Sequence, residues 1–88
     1  MSWYLYILKC SNGNLYTGVT TDIARRLKEH KQGQGAVFTR SFRAEEICHT
    51  EEFLNKREAF SREAQIKRWT RKKKLALIAG NIELLKRL

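Results

Sequence analysis

The first run, Trp3 to Lys9, is apolar at both alternations, with Tyr4, Tyr6 and Leu8 on one face and Trp3, Leu5 and Ile7 on the other. A strand apolar on both faces needs cover on both, which predicts a central strand rather than an edge. Ser11-Asn12-Gly13-Asn14 reads as a turn, because Asn-Gly accepts positive φ at low cost. Leu15–Thr20 is a second β-rich run, and the pair predicts an antiparallel hairpin. Thr21 or Asp22 is placed to cap a helix running to about Lys31, with Ile23 and Leu27 one turn apart facing the core. Gln32-Gly33-Gln34-Gly35 ends that helix and opens a loop through Arg43. Residues 45–52 are ambiguous by pattern, though Ile47, His49 and Phe53 suit a third short strand. From Leu54 to Trp69 the pattern is helical, Gly80 stops a helix, and Asn81 caps a last short one. The order β-β-α-β-α-α predicts an α+β fold, a small three-stranded antiparallel sheet flanked by helices with no internal linker.

Length and composition narrow the class. At 88 residues the chain is expected to form one domain spanning 1–88. Its 42% hydrophobic and 10% aromatic content is too apolar for a disordered polybasic tail, and its 31% charged content is too high for a membrane protein. The longest apolar stretch, Trp3 to Leu8, falls far short of the roughly 18–20 residues a membrane span needs. No basic n-region and small-residue cleavage site surround it, so no signal peptide is expected. Two cysteines, Cys10 and Cys48, make no disulfide framework, in keeping with a reducing, cytoplasmic location. The charge asks for more. Eighteen Lys and Arg against nine Asp and Glu leave +9, and a pI near 10.0 on a folded domain points to a polyanion partner.

Candidate chemistry does not gather at the usual residues. Cys48 and His49 are adjacent, but no Cys-x-x-Cys or similar zinc spacing occurs, and no nucleophile elbow supports a Ser/His/Asp hydrolase. The tyrosines stand out. Tyr6 and Tyr16 lie on the two arms of the hairpin, and Gly18 shares the Tyr16 face while adding no side chain, which leaves room for a close approach. On the next helix Arg26 and His30 are four apart and stack on one face. Taken singly, strand tyrosines usually pack and an Arg-x-x-x-His face is usually solvated. Further on, Ala59, Phe60, Glu63, Ile66 and Lys67 share one side of a helix, which sets Glu63 in an apolar stripe. An ionised carboxylate there must be paired, with Lys67 or Arg62, or must ligate a hard cation such as Mg²⁺.

The order Tyr4-Leu5-Tyr6, Tyr16-Thr17-Gly18, Arg26, His30, Glu63 resembles the GIY-YIG nuclease family. Tyr6, Tyr16, Gly18, Arg26 and Glu63 match that family's pattern in order, Asn12-Gly13 falls in its turn, and His30 stands where many members carry His or Tyr. The resemblance covers the whole chain and is nearest to the small stand-alone bacterial proteins, whose second helix reads like Arg62-Glu63, Gln65-Ile66-Lys67 and Trp69. The first tripeptide lacks Gly and Ile, Thr17 replaces the usual Ile, and the nearest later Asn is Asn81, which reads as a helix cap.

The resemblance implies an endonuclease that cleaves DNA phosphodiester bonds with one divalent ion, Mg²⁺ or Mn²⁺, held by Glu63 and water. Arg26 would then bridge the phosphate. One of Tyr6 and Tyr16 would accept the nucleophile's proton while the other orients water, and His30 could share that work. Gly18 would shape the site. A free phenol is ionised only about one part in a thousand at neutral pH, so it needs such help. For binding, Lys67, Arg68, Arg71, Lys72, Lys73 and Lys74 put six cations in eight residues around Trp69, expected as an exposed aromatic that suits an unpaired base, and Arg40 and Arg43 in the glycine-flanked loop could close from the other side. Part of that run must face solvent, since a helix cannot present it all on one side. Phosphate contacts carry no sequence code, so structured or non-specific DNA, branched and single-stranded forms included, is the expected substrate. No membrane partner is expected, and oligomeric state is left open. Two alternatives stand beside this reading: a catalytically impaired nucleic-acid-binding module, and an interaction protein whose basic helix docks on an acidic partner or anionic lipid.

Overall fold

The structure is a computed structural model, and it describes residues 1–32 and 44–88. Three strands, β1 (Trp3–Cys10), β2 (Leu15–Thr20) and β3 (Ala44–Phe53), form an antiparallel sheet in the order β2-β1-β3. Helix α1 (Ile23–Lys31) follows the hairpin, and α2 (Lys56–Lys67), α3 (Arg71–Ala79) and α4 (Ile82–Arg87) follow β3. The α+β class and the central place of β1 are as the alternation predicts. The C-terminal part carries one helix more than the six-element order, because Thr70 caps α3 through the amide of Lys73 and separates it from α2. The loop that holds Arg40 and Arg43 lies outside the described residues. Among the described residues no helix is long and apolar enough to cross a membrane.

Local chemistry accounts for the boundaries. Gly13 takes φ 83° in the hairpin turn, and its amide donates to Cys10 O. Asp22 caps α1 through the Arg25 amide, Asn55 caps α2 through that of Glu58, and Asn81 caps α4 through that of Leu84. Gly80 ends α3 in the left-handed region at φ 71°.

The two faces of β1 meet different helices. Leu5 and Ile7 pack on Ile66 of α2, with Val19, Phe53, Trp69, Leu77 and Ile78 around them. Tyr6 and Leu8 face α1, packed by Tyr16, Ile23, Leu27 and Ile47. The third strand is present as β3, and it changes parity part-way along. Ile47 and His49 do not share a face, because an irregularity skips Cys48: Leu8 pairs with Ile47 while Ile7 pairs with His49. One extra residue in a strand reverses the parity of all that follows. Ile47 therefore joins the α1 side, and His49, Glu51 and Phe53 turn toward α2.

Candidate functional site

Tyr6 is the hub of a polar network on the α1 side. It is 1% exposed, as is His30 in the last turn of α1. The Tyr6 hydroxyl lies 2.9 Å from His30 Nε2 and accepts from Arg26 Nε at 3.3 Å. Arg26 can only donate, so the phenol oxygen accepts there; toward His30 the phenol donates when the ring carries its proton on Nδ1 and accepts when it is on Nε2. Burial, reinforced by the Arg26 charge, holds the His30 pKa below its usual value, which keeps the ring neutral and able to accept. Burial also pushes the Tyr6 phenol up to about 12, with the Arg26 hydrogen bond opposing it. For Arg26 itself burial disfavours the charge, but hydrogen bonds to Tyr6 and to Glu29 (3.1 Å) outweigh it and the guanidinium is held more firmly charged.

Tyr16 is half-buried, its ring 6.2 Å from that of Tyr6 and 5.1 Å from that of His30 by centroids. Gly18 pairs with Tyr6 across the hairpin, and a Cβ there would lie 2.5 Å from the Tyr6 hydroxyl. The space left by the glycine is filled by the tyrosine of its own sheet. Glu63 belongs to the opposite layer: α2 lies against both β1 and the edge strand β2, and the Glu63 charge is the smallest of the causes that act on the Tyr6 pKa. Its side chain is 17% exposed and pairs with Lys67 at 3.5 Å. Of the two partners open to it by sequence, Lys67 is the one observed. Arg62 instead makes a bidentate contact with Glu51 of β3, at 2.9 and 3.2 Å.

Among the described residues no group of three or more His, Cys, Asp and Glu could cage a metal. That excludes a closed zinc-type centre from these residues but suits Mg²⁺ or Mn²⁺. Such an ion keeps several waters, takes one or two carboxylates and fills the rest of its shell from substrate phosphates. A partly exposed single carboxylate, Glu63, is a donor of that kind.

The cationic run is split by Thr70. Lys67 and Arg68 end α2, while Arg71, Lys72, Lys73 and Lys74 make up the first turn of α3, with no acidic residue to balance the helix dipole there. Arg71 and Lys74 line a cleft of about 240 Å³ with Asn14 and Leu15 at the hairpin turn. Trp69 is not the exposed aromatic that the run suggested. It is half-buried against the apolar core, with Arg62 5.1 Å and Lys73 4.6 Å from its ring centroid.

Sequence reasoning missed two groupings. The His49–Glu51–Arg62–Gln65 chain, with contacts of 2.8, 2.9 and 2.7 Å, depends on the β3 irregularity and has no local signal. The pair Trp3–Phe60, centroids 6.2 Å apart, was half visible in the placement of Phe60 on the Glu63 side of its helix.

The family model described as the GIY-YIG catalytic domain matches residues 2–76. The chain belongs to the GIY-YIG family. A UPF0213 protein of Bacillus pumilus is 49% identical over 71 residues, covering 81% of this chain and 72% of the relative. One of Staphylococcus aureus is 46% identical over 77 residues, covering 88% and 94%. Among solved structures, the solution NMR structure of a UPF0213 protein from Bacillus halodurans is similar with TM-score 0.56 and 43% identity, over 90% of this chain and 84% of that one. A protein from E. faecalis gives 0.63 and 40%, over 91% and 85%. The GIY-YIG domain is a nuclease-type catalytic domain, and nucleic acid is its general substrate.

Proposed function

We propose that this chain is a divalent-metal-dependent endonuclease that hydrolyses DNA phosphodiester bonds with little regard to sequence. The observation that carries this reading is the Tyr6 hydroxyl held between Arg26 and His30 over Gly18. When bound at Glu63, a divalent ion supplies Lewis-acid help and neutralises phosphate charge.

The chain's own residues account for the rest. Arg26, charged and anchored by Glu29, is a fixed donor for the negative oxygens of the phosphoryl group. With its pKa at about 12, Tyr6 is a poor base alone. Its hydroxyl lies 2.9 Å from the imidazole, so with the ring proton on Nδ1 it can pass its own proton to His30 as it takes one from the attacking water. Tyr16, packed on the His30 ring and less buried, orients the water. The cations at the end of α2 and in the first turn of α3 hold the backbone on either side.

Cleavage of flapped, branched and single-stranded DNA with Mg²⁺ or Mn²⁺ tests the reading. Glu63→Ala and Tyr6→Phe are expected to lower the rate by at least about 100-fold with DNA binding retained. Normal cutting by Glu63→Ala would overturn the mechanism. Salt-sensitive binding without cleavage by the unaltered chain would favour the impaired binding module.

A further inference from the structure

A second aromatic group lies on the α2 side of the sheet, outside both core clusters. Trp3, at the start of β1, and Phe60, in the middle of α2, approach to 6.2 Å between centroids at 56°. Neither belongs to the Leu5–Ile7–Ile66 contact or the Tyr6–Leu8 contact. Phe60 is 42% exposed, and Leu54, next to the cross-strand partner of Trp3, is 85% exposed. The Lys56 ammonium stands 5.5 Å from the Trp3 centroid and 5.7 Å from that of Phe60.

The helix relates this group to the site. At 3.6 residues per turn, Lys56, Phe60, Glu63 and Lys67 fall within a sector of about 60° on α2, one side of the Ala59–Ile66 stripe that meets the sheet. Arg62 leaves from the opposite flank toward Glu51 of β3, so this sector lies toward the β2 edge. Phe60 precedes Glu63 by three residues, about 4.5 Å along the axis. That is comparable with the ~3.4 Å rise of one nucleotide in a strand. A strand that follows α2 with one phosphate at Glu63 thus brings a neighbouring nucleotide over Phe60.

We propose that Trp3 and Phe60 form a stacking platform for one unpaired base next to the cleaved bond, with Lys56 taking that nucleotide's phosphate. This rests on the nuclease reading above and adds a substrate class to it: DNA with an unstacked nucleotide, as at a flap, gap or single strand, in preference to continuous duplex. The occupant follows from complementarity. Every base has a π-face that an aromatic side chain accepts without regard to sequence. A paired base inside a duplex has no face free to offer. The platform's own charged residue is a cation, and the net charge of +9 favours a polyanion over a basic or neutral protein surface.

The test separates stacking from cleavage. The full chain is titrated in EDTA with a matched duplex and with the same duplex carrying one unpaired 2-aminopurine, followed by base fluorescence and anisotropy. The unpaired probe is expected to bind roughly 5- to 100-fold tighter, with its fluorescence quenched. Phe60→Leu keeps an apolar cover on Trp3 but removes the π-face, and is expected to bring the ratio of the two affinities near one with quenching lost. Phe60→Trp is expected to restore both. Thermal melting confirms that each variant is folded. An unchanged ratio and unchanged quenching in folded Phe60→Leu would overturn the platform. So would a concentration-dependent dimer of the unaltered chain that Phe60→Leu dissociates, since a second copy would then be the occupant. Retained stacking with no cleavage in Mg²⁺ would count against the nuclease reading alone, and cleavage without stacking against the platform alone.

Discussion

On the α2–α3 side of β1, Leu5, Ile7 and Ile66 meet in a wholly apolar contact; on the α1 side, Tyr6 and Leu8 pack among apolar neighbours while Tyr6 also hydrogen-bonds the buried His30. Successive residues of one strand feed both. The apolar side is held by burial, which is non-directional and tolerates repacking. The α1 side holds a phenol, an imidazole and part of a guanidinium out of water, and each must keep a partner or cost the fold its desolvation. The same chain of contacts, Arg26 to Tyr6 to His30, fixes the position of the phenol oxygen. Directional bonding on one face therefore aligns the chemistry, while apolar packing on the other carries the helix that brings Glu63.

The largest break in this comparison is expected at Gly18. Gly18→Ala sets a methyl 2.5 Å from the Tyr6 hydroxyl, so the phenol must leave Arg26 and His30. A displacement on that scale is expected to cost about 100-fold in cleavage rate. Overpacking should remove about 1–3 kcal/mol of stability, read by urea unfolding. The apolar side offers no position where one methyl would disable the site so directly.

A smaller effect follows from titration of the same face. The Tyr6 phenol is raised to about 12 in the folded chain against 10.0 for a free one, so between those values the unfolded chain loses the proton first. Stability is then full below about pH 10 and falls as pH rises toward 12, on the order of 2–3 kcal/mol in all. Tyr6→Phe should remove that alkaline loss. His30 acts at the other end. Its folded pKa lies below its usual 6.5, so acid protonates the unfolded chain first, and stability falls as pH drops below about 6.5. Unfolding followed across pH reads both limbs; a Tyr6→Phe variant with the same alkaline limb would show that another group carries it.

The smallest effect comes from a flaw in the apolar side. Thr17 is 3% exposed, faces Ile7 across the hairpin, and its hydroxyl has no hydrogen-bond partner among the described residues. Thr17→Val keeps the shape and removes the unpaired oxygen, and is expected to stabilise by about 1 kcal/mol with cleavage unaffected. A loss of stability in thermal melting would mean the hydroxyl has a partner after all.

Much of the fold was legible because it follows from local rules. Alternation from Trp3 to Leu8 placed β1 at the centre, Asn12-Gly13 placed the turn, and Asp22, Gly80 and Asn81 placed helix ends. The candidate site was legible in part for the same reason. Tyr6, Tyr16 and Gly18 share a parity of the hairpin, and Arg26 and His30 share a turn of α1, so a single cross-layer contact joins them. The partner of Glu63 was not legible, because Arg62 and Lys67 are both in reach by sequence. The choice depended on Glu51 turning toward α2 after the β3 irregularity at Cys48. Trp69 was misread for a like reason: a basic neighbourhood says nothing of the core contact that half-buries its ring.

The sequence by itself determined the periods, the caps and the residue types at matching spacings, since each depends on neighbours within a turn or along a strand. The tertiary structure decided which polar groups share a proton and which carboxylate is paired with which cation. It also decided that the space at Gly18 belongs to Tyr6. Those outcomes depend on distances of a few ångströms between residues far apart in the chain, where one skipped strand residue or one helix flank reverses the answer.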